Sequence, residues 1–510
     1  ERGFGRVRSD GDAGHIVIDG SYNRSRYSTH IDCDLTLDNF NAGLIAGNSN
    51  LGYASGTASA DLRLGRHVTG EARADFSRVQ FKGYEYRNLS AKIDMPRNRK
   101  AECSVELDDP NATALVYAFY DGEQDRPTLS ATASLANIDL TALGLPNPKP
   151  GYRCGAKLIA ELSGSKVDDI AGEVDLTDIR WLDERNRGLR IPRLTLRSEP
   201  LAPIPNLSIS SDLINGSVRG RYALSSLVSQ LKELAAAYVP VLFPANDTER
   251  RDLAANDFAF DFRIESTEEI SRFFNLPAAI VYPAKISGRF NSEAGIANAE
   301  ISAPYILKGD KIYDNTTVYA SMDKASMESL VYATTQFPTK KGDMAVAAVV
   351  KANDNRIDTH VDWTIERRIP INGAIDFSTL ITGLSEKGAG TLSPVKAIIN
   401  FNPGTINFGY DTWNIETSTV EIGRDRIALD GFALDAGQQH IGIDGTISLN
   451  PTDTITVDLS GIRLLPIFET LEIENAMLSG NATGVFKGSR LLTEERSLEC
   501  GTVSYTQLTL

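Results

Sequence analysis

The sequence predicts a mainly β protein: a long, curled antiparallel sheet that forms an open, taco-like apolar groove, with a few short helices capping it. Three observations predict it. Apolar and polar residues alternate with a period of two through most of the chain, glycine opens strand after strand, and helical periodicity is rare.

The alternation is strict where it occurs. Ala72, Ala74 and Phe76 alternate with Arg73 and Asp75; Phe258, Phe260, Phe262 and Ile264 alternate with Ala259, Asp261 and Arg263. Ile441, Ile443, Ile447 and Leu449 hold one parity, and Ile455, Val457 and Leu459 repeat it. In a strand this places one face in an apolar environment and the other in water. Turn residues break the runs at short intervals, as at Asn402-Pro403-Gly404 and Asp430-Gly431. Helices between strands are too few for a parallel sheet, so an antiparallel meander is expected. A loose repeat adds to this. Gly20, Gly56, Gly70, Gly172, Gly216, Gly288, Gly373 and Gly445 are each followed by an apolar residue two positions on. Its spacing is too irregular for a propeller or a short-period β-helix.

The clearest helix is expected over 225–238, where Leu224, Leu227, Val228, Leu231, Leu234, Ala235 and Tyr238 form a stripe that Pro240 ends. Shorter candidates lie at Glu268–Phe274, Lys324–Ala333 and Ile467–Leu471, all read as caps on an open apolar face. The expected organisation is a first β-groove segment over 1–200, an amphipathic helix with linker over 201–255, and a second β-groove segment over 256–490. Residues 491–510, where the alternation stops, read as a non-native tail.

Composition narrows the function. Of 510 residues, 42% are apolar and 23% charged, so the chain is globular. Its net charge of −15 disfavours nucleic acid, because phosphate binding needs clustered Lys and Arg. No apolar run is long enough to span a bilayer, and there is neither signal peptide nor initiator Met, so the chain reads as an internal fragment of something larger, and an anchor, if the parent has one, is expected outside it.

Chemistry is hard to find in it. The cysteines at 33, 103, 154 and 500 form no C-x-x-C pair; the first three share the apolar parity and read as small hydrophobes. The histidines at 15, 30, 67, 360 and 440 show no metal spacing. Ser229-Gln-Leu-Lys232 matches S-x-x-K but lacks its partner motifs and lies in the amphipathic helix, so chance explains it. Asp108-Asp109-Pro110-Asn111 and Asn353-Asp354-Asn355 read as turns rather than paired catalytic carboxylates or calcium loops. No enzyme, no catalytic residue, no metal and no cofactor is expected.

What is left is the apolar stripe. An ordinary sandwich core would explain any short part of it. The pattern continues past the length at which single cores stop growing, and the inward parity is rich in small residues such as Ala58, Ala60, Ala72 and Ala74, which leaves room between facing walls. The residues expected to line a groove are Phe76, Ile93, Phe260, Phe262, Ile375, Phe408, Trp413, Val420, Ile443 and Val457, with Asp75, Asp261 and Glu421 facing water. About forty strands on two walls, spaced about 4.8 Å apart, would give a path on the order of 100 Å.

Several segments resemble a known family. Phe401-Asn-Pro-Gly-Thr-Ile-Asn-Phe408, Trp413-Asn-Ile415, Val420-Glu-Ile422, Gln439-His-Ile-Gly-Ile-Asp-Gly-Thr-Ile447 and Val457-Asp-Leu-Ser-Gly-Ile-Arg-Leu464 are similar to TamB-type proteins of the AsmA/TamB superfamily, Bacteroidetes-like in style. Phe81–Tyr86, Ala136–Leu140 and Ile209–Gly216 resemble the same superfamily. The resemblance spans most of 1–490. It implies an apolar-lined curled sheet in the periplasm, held by an inner-membrane anchor. It implies phospholipid acyl chains as cargo between the two membranes, and an outer-membrane barrel protein as partner in protein translocation and assembly. The competing expectation is a surface adhesin or carbohydrate-binding β-solenoid, which would carry exposed aromatics or acidic ladders on its outer face; that parity reads as mixed charge with few aromatics. A polysaccharide-cleaving enzyme ranks third, since it would need a carboxylate or histidine cluster.

Overall fold

The computed structural model describes residues 1–146, 151–243, 254–339, 342–366, 371–383, 396–408, 411–463, 477–491, 497–501 and 507–509. The chain is mainly β, with 70% strand and 6% helix, and its sheet is antiparallel. It divides into two compact units. One comprises Glu1–Tyr222 and Phe262–Pro277; the other comprises Ala223–Asp261 and Ala278–Leu510.

In the first unit, fourteen strands from Arg2–Gly11 to Ile214–Arg221 each pair antiparallel with their sequence neighbours. Two of them, Asn206–Ser211 and Ile214–Arg221, fall within 201–255, the segment assigned to helix and linker, and the second contains Gly216 of the strand-opening repeat. In the second unit, seven strands from Ala284–Asn291 to Ile371–Thr382 form a similar meander.

The strand-opening glycines have a steric cause. Gly70 and Gly172 sit at φ +129° and +134°, and a Cβ there would stand 2.0 and 1.9 Å from the Asp61 and Glu161 carbonyl oxygens of the neighbouring strand. Any other residue would push the two backbones apart.

Two expected turns are not turns. Lys396–Phe401 and Gly404–Phe408 both pair with Ile371–Thr382, so Asn402-Pro403 is an interruption within one side of a hairpin. Asp430-Gly431 lies inside strand Arg426–Ala436, where the register shifts between Leu429 and Phe432. Both are bulges, which need the same Gly, Asn and Pro chemistry as turns and so look alike in sequence.

Among the described residues the α-helices are α1 (Ala42–Ala46), α2 (Leu224–Tyr238) and α3 (Glu268–Phe274). The last two match expectation. The helix expected at Lys324–Ala333 is absent: a turn leads into strand Glu328–Thr339, whose pairing with Lys311–Asp323 overrides the local helix propensity of Lys324-Ala-Ser-Met-Glu. The candidate at Ile467–Leu471 lies outside the described residues. Of the stretch read as a tail, Ser497–Cys500 pairs with Asn481–Ser489. Among the described residues no helix is long and apolar enough to cross a membrane.

Candidate functional site

Strand register turns the alternation into a surface. In the first unit one cross-strand row runs from Ile18 through Leu35, Ala58, Ala74, Ala91, Val105, Val116, Ala133, Leu158 and Leu176 to Leu194. It crosses eleven strands, roughly 48 Å at about 4.8 Å per strand, without a charged or polar side chain. A second row lies two residues away: Gly20, Cys33, Ala60, Ala72, Ile93, Cys103, Ala118, Ala131, Ala160, Val174, Leu196 and Ile209. A third row beyond the first joins Ile16, Leu37, Gly56, Phe76, Leu89, Leu107, Ala114, Leu135 and Ala156. Alanines concentrate in the first two rows and give a furrow with a floor of small side chains. The opposite parity reads Asp19, Asp34, Ser59, Arg73, Lys92, Ser104 along the same strands.

Every member of the first row is half-buried and none is fully buried. In a sandwich core these positions would face a second layer and lose nearly all contact with water. Here the apolar face is uncovered along its middle. Full burial is gathered in a patch at one end of the first strands, where Ile16, Leu37, Phe40, Ala54 and Val79 pack together beside Phe76, and recurs in the flanking rows only at Leu107 and Ala160.

The second unit repeats the pattern. Ile286, Ile301, Val318, Ala333, Ala348, Val361 and Ile375 form one row over seven strands, all half-buried. Further on, Phe432, Ile443, Val457 and Phe486 form another. Two glycines of the repeat are covered by aromatic rings: a Cβ at Gly288 would meet Phe260 at 2.6 Å, and one at Gly373 would meet Trp363 at 2.5 Å.

The ten residues expected to line a groove all carry apolar side chains on these faces, but not in one place. Phe76 and Ile93 lie on the first unit's rows, as does the neighbouring exposed Asp75 on the opposite parity. Phe262 is a half-buried residue of the first unit, and Phe260 of the second. Ile375, Val420, Ile443 and Val457 are half-buried members of the second unit's rows, Val420 between Ile399 and Leu429. Phe408 packs against a closed cluster of Trp413, Ala436, Ile462 and Ala482, in which Trp413 is 7% exposed. Trp413 is therefore a core residue rather than part of an open surface. Its strand pairs with Gly404–Phe408 beyond the bulge, which carries it into that cluster. Glu421 is half-buried and bound to Lys396 at 2.8 Å rather than free in water.

Helix α2 belongs to the second unit and is fastened there by polar side chains. Asn256, fully buried, accepts from the Ala223 amide at 2.7 Å and donates to Ser226 Oγ at 3.1 Å and Gln230 Oε1 at 2.7 Å. At the other end the Tyr238 hydroxyl donates to the Glu328 carbonyl at 3.0 Å. Leu234 and Tyr238 are buried, whereas Leu224, Val228 and Leu231 of the same stripe face solvent. The helix thus spends only half its apolar stripe on the sheet.

Cys33 and Cys154 are half-buried free thiols, and burial raises the pKa of both, so they stay protonated near neutrality. His30, His360 and His440 each pair with an aspartate on the polar parity, Asp61, Asp376 and Asp435, at 2.7 to 2.8 Å. Among the described residues no group of three His, Cys, Asp or Glu side chains is placed to hold a metal.

One feature escaped the sequence reading. Strand Ala112–Asp121 exposes Leu115, Tyr117 and Phe119 on the polar parity, and Ile159 stands beyond Thr132 in the row of Tyr117. Tyr319 and Tyr332 pair across strands on the same parity in the second unit. The signal was available: residues 114–120 are apolar on both parities, so the period of two disappears there. No protein-family model matches the sequence, and no curated protein matches it.

Proposed function

We propose that this chain is a segment of an envelope protein that conducts phospholipids by their acyl chains between the inner and outer membranes, in the periplasm, with support of outer-membrane protein assembly as an associated role. The observation that carries the reading is the uncharged, half-exposed row from Ile18 to Leu194. An acyl chain slides along a path only if no unpaired charge interrupts it, because desolvating one costs several kcal/mol, and only if the path is open to it. The alanine floor leaves space for such a chain, and the segment resemblance to TamB-type proteins supports the same reading. It is a non-catalytic reading. An outer-membrane barrel partner and an inner-membrane anchor belong to it as further proposals.

The test is photo-crosslinking to phospholipid from Ala74, Val361 and Ile443 on the apolar parity and from Asp75 and Asp458 on the polar one. Lipid captured from the apolar positions alone supports a conduit; equal capture from both parities removes it. The exposed pairs Tyr117/Phe119 and Tyr319/Tyr332 favour a second reading, a surface module that binds a partner through its outer face, and capture of no lipid at any position would move the assignment there.

A further inference from the structure

The polar face of the first unit holds a cleft of about 500 Å³ that the lipid reading does not use. Its centre is the aromatic pair Tyr117 and Phe119, two residues apart on one strand and 53% and 37% exposed. Single exposed apolar residues need no explanation, but two aromatic faces with Leu115 beside them on a face of hydroxyls and charges do. In one register row Phe119 stands between Glu102 on one neighbouring strand and Ser130 on the other, with Asp94 beyond Glu102 and Glu161 beyond Ser130. Glu102 and Glu161 are thus three strand spacings apart, about 14 Å between their backbones, with an aromatic platform between them. The adjacent row places Ser104 and Thr132 on either side of Tyr117.

The charges of the lining are unbalanced. Asp94, Glu102 and Glu161 face a single cation, Lys92, which stands 3.9 Å from Glu71 outside the cleft. Ser130 Oγ donates to Glu161 at 2.5 Å and holds that carboxylate at the rim. Carboxylates at both ends of exposed aromatic faces complement a chain of ammonium groups joined by methylenes: the ammonium ends meet the acids, and the methylenes and an inner ammonium lie on the rings, whose faces carry negative potential. Anionic ligands are repelled by the same set. We propose that this cleft binds linear organic oligocations of the polyamine class, lying across the strands from Glu102 to Glu161.

The test is calorimetry of the whole chain with spermine at low salt, with a neutral linear hexasaccharide as the competing probe. The expected result is saturable spermine binding that weakens about fivefold in Tyr117→Leu, which keeps the apolar bulk and removes the ring, and by a similar factor in Glu102→Gln. Physiological salt should weaken it further. The exposed Glu300→Gln change, in the other unit, should leave it unaltered. All three residues are on exposed positions, so folding is preserved and circular dichroism checks it. Absence of spermine binding overturns the proposal. So does equal weakening by Glu300→Gln, which would mean diffuse attraction to a chain of net charge −15, and so does binding of the hexasaccharide in place of spermine. Lipid capture at Ala74 is read on the opposite face, so either result leaves the other standing or falling by itself.

Discussion

An arginine at position 443 separates an open apolar face from a closed core more sharply than any other single change. Ile443 stands between Phe432 and Val457 on the two neighbouring strands and is half-buried. Burying an isoleucine completely is worth about 1.5–3 kcal/mol, so the half-burial here puts the apolar loss in Ile443→Arg at about 1 kcal/mol. On an open face the guanidinium reaches water and adds little to that cost. In a closed core it would be an unpaired buried charge, with a penalty of about 3–5 kcal/mol. Urea unfolding therefore decides the first question: a fall of about 1 kcal/mol fits the open face, and a fall above about 3 refutes it. The second measurement is lipid capture at the neighbouring Val457. An acyl chain laid over residue 443 would have to desolvate the guanidinium, at several kcal/mol, which is about a hundredfold or more in affinity. Capture should therefore vanish in a protein that still folds. Asp458→Arg, on the exposed parity of the next strand, is the control and should leave capture unchanged. Asp444 is a poorer control, since its carboxylate accepts the Gly431 amide at 3.2 Å and steadies the bulge. Undiminished capture in a folded Ile443→Arg protein would refute the conduit.

Other changes probe the sheet itself. Gly172→Ala places a methyl 1.9 Å from the Glu161 carbonyl at a φ of +134° and should cost about 1–3 kcal/mol in urea unfolding, whereas Gly431→Ala, with nothing within 4 Å, should cost less. Asn256→Leu removes the hydrogen bonds that the Asn256 side chain makes to the start of α2 and leaves the buried Ala223 amide without this partner, while Ser226 keeps its bond to the Ala254 carbonyl; loss of about 2–3 kcal/mol is expected, read as faster amide exchange across 224–238. Asp175 has its pKa lowered chiefly by the bidentate Arg193 guanidinium at 2.7 Å. A folded-state pKa below the unfolded value means stability that is complete above the ordinary carboxylate range and is lost as pH falls through the lowered value. Asp175→Asn should therefore destabilise at neutral pH and converge with the parent in acid.

The fold was legible because its rule is local. A period of two needs no knowledge of which strand pairs with which, so the faces bearing Ala72, Ala74 and Phe76, or Ile443 and Val457, could be read directly. The helices at 224–238 and 268–274 were equally local, each set by its own stripe or its own bounding residues. Where longer range mattered, local reading failed. Lys324–Ala333 looked helical until its strand found Lys311–Asp323, and Asn402-Pro403 looked like a turn until both its flanks were seen on one partner strand.

The candidate site was legible in kind and not in state. Parity says which side chains share a face; it does not say whether anything covers that face. Trp413 and Ile443 are indistinguishable by pattern, yet Trp413 is closed into a cluster with Ile462 and Ala482 while Ile443 stays half-exposed. The difference lies in residues distant in sequence that meet only after the bulges have redirected their strands. The same limit hid Tyr117 and Phe119, because a strand apolar on both parities has no side that sequence alone can name as outward. What decides function here is therefore coverage. An uncovered apolar row costs a protein solubility at every strand it crosses, and the row from Ile18 to Leu194 leaves eleven strands so exposed, with alanine where larger side chains would shield more of the face. Lipid capture along that row is therefore the measurement on which the proposed conduit stands.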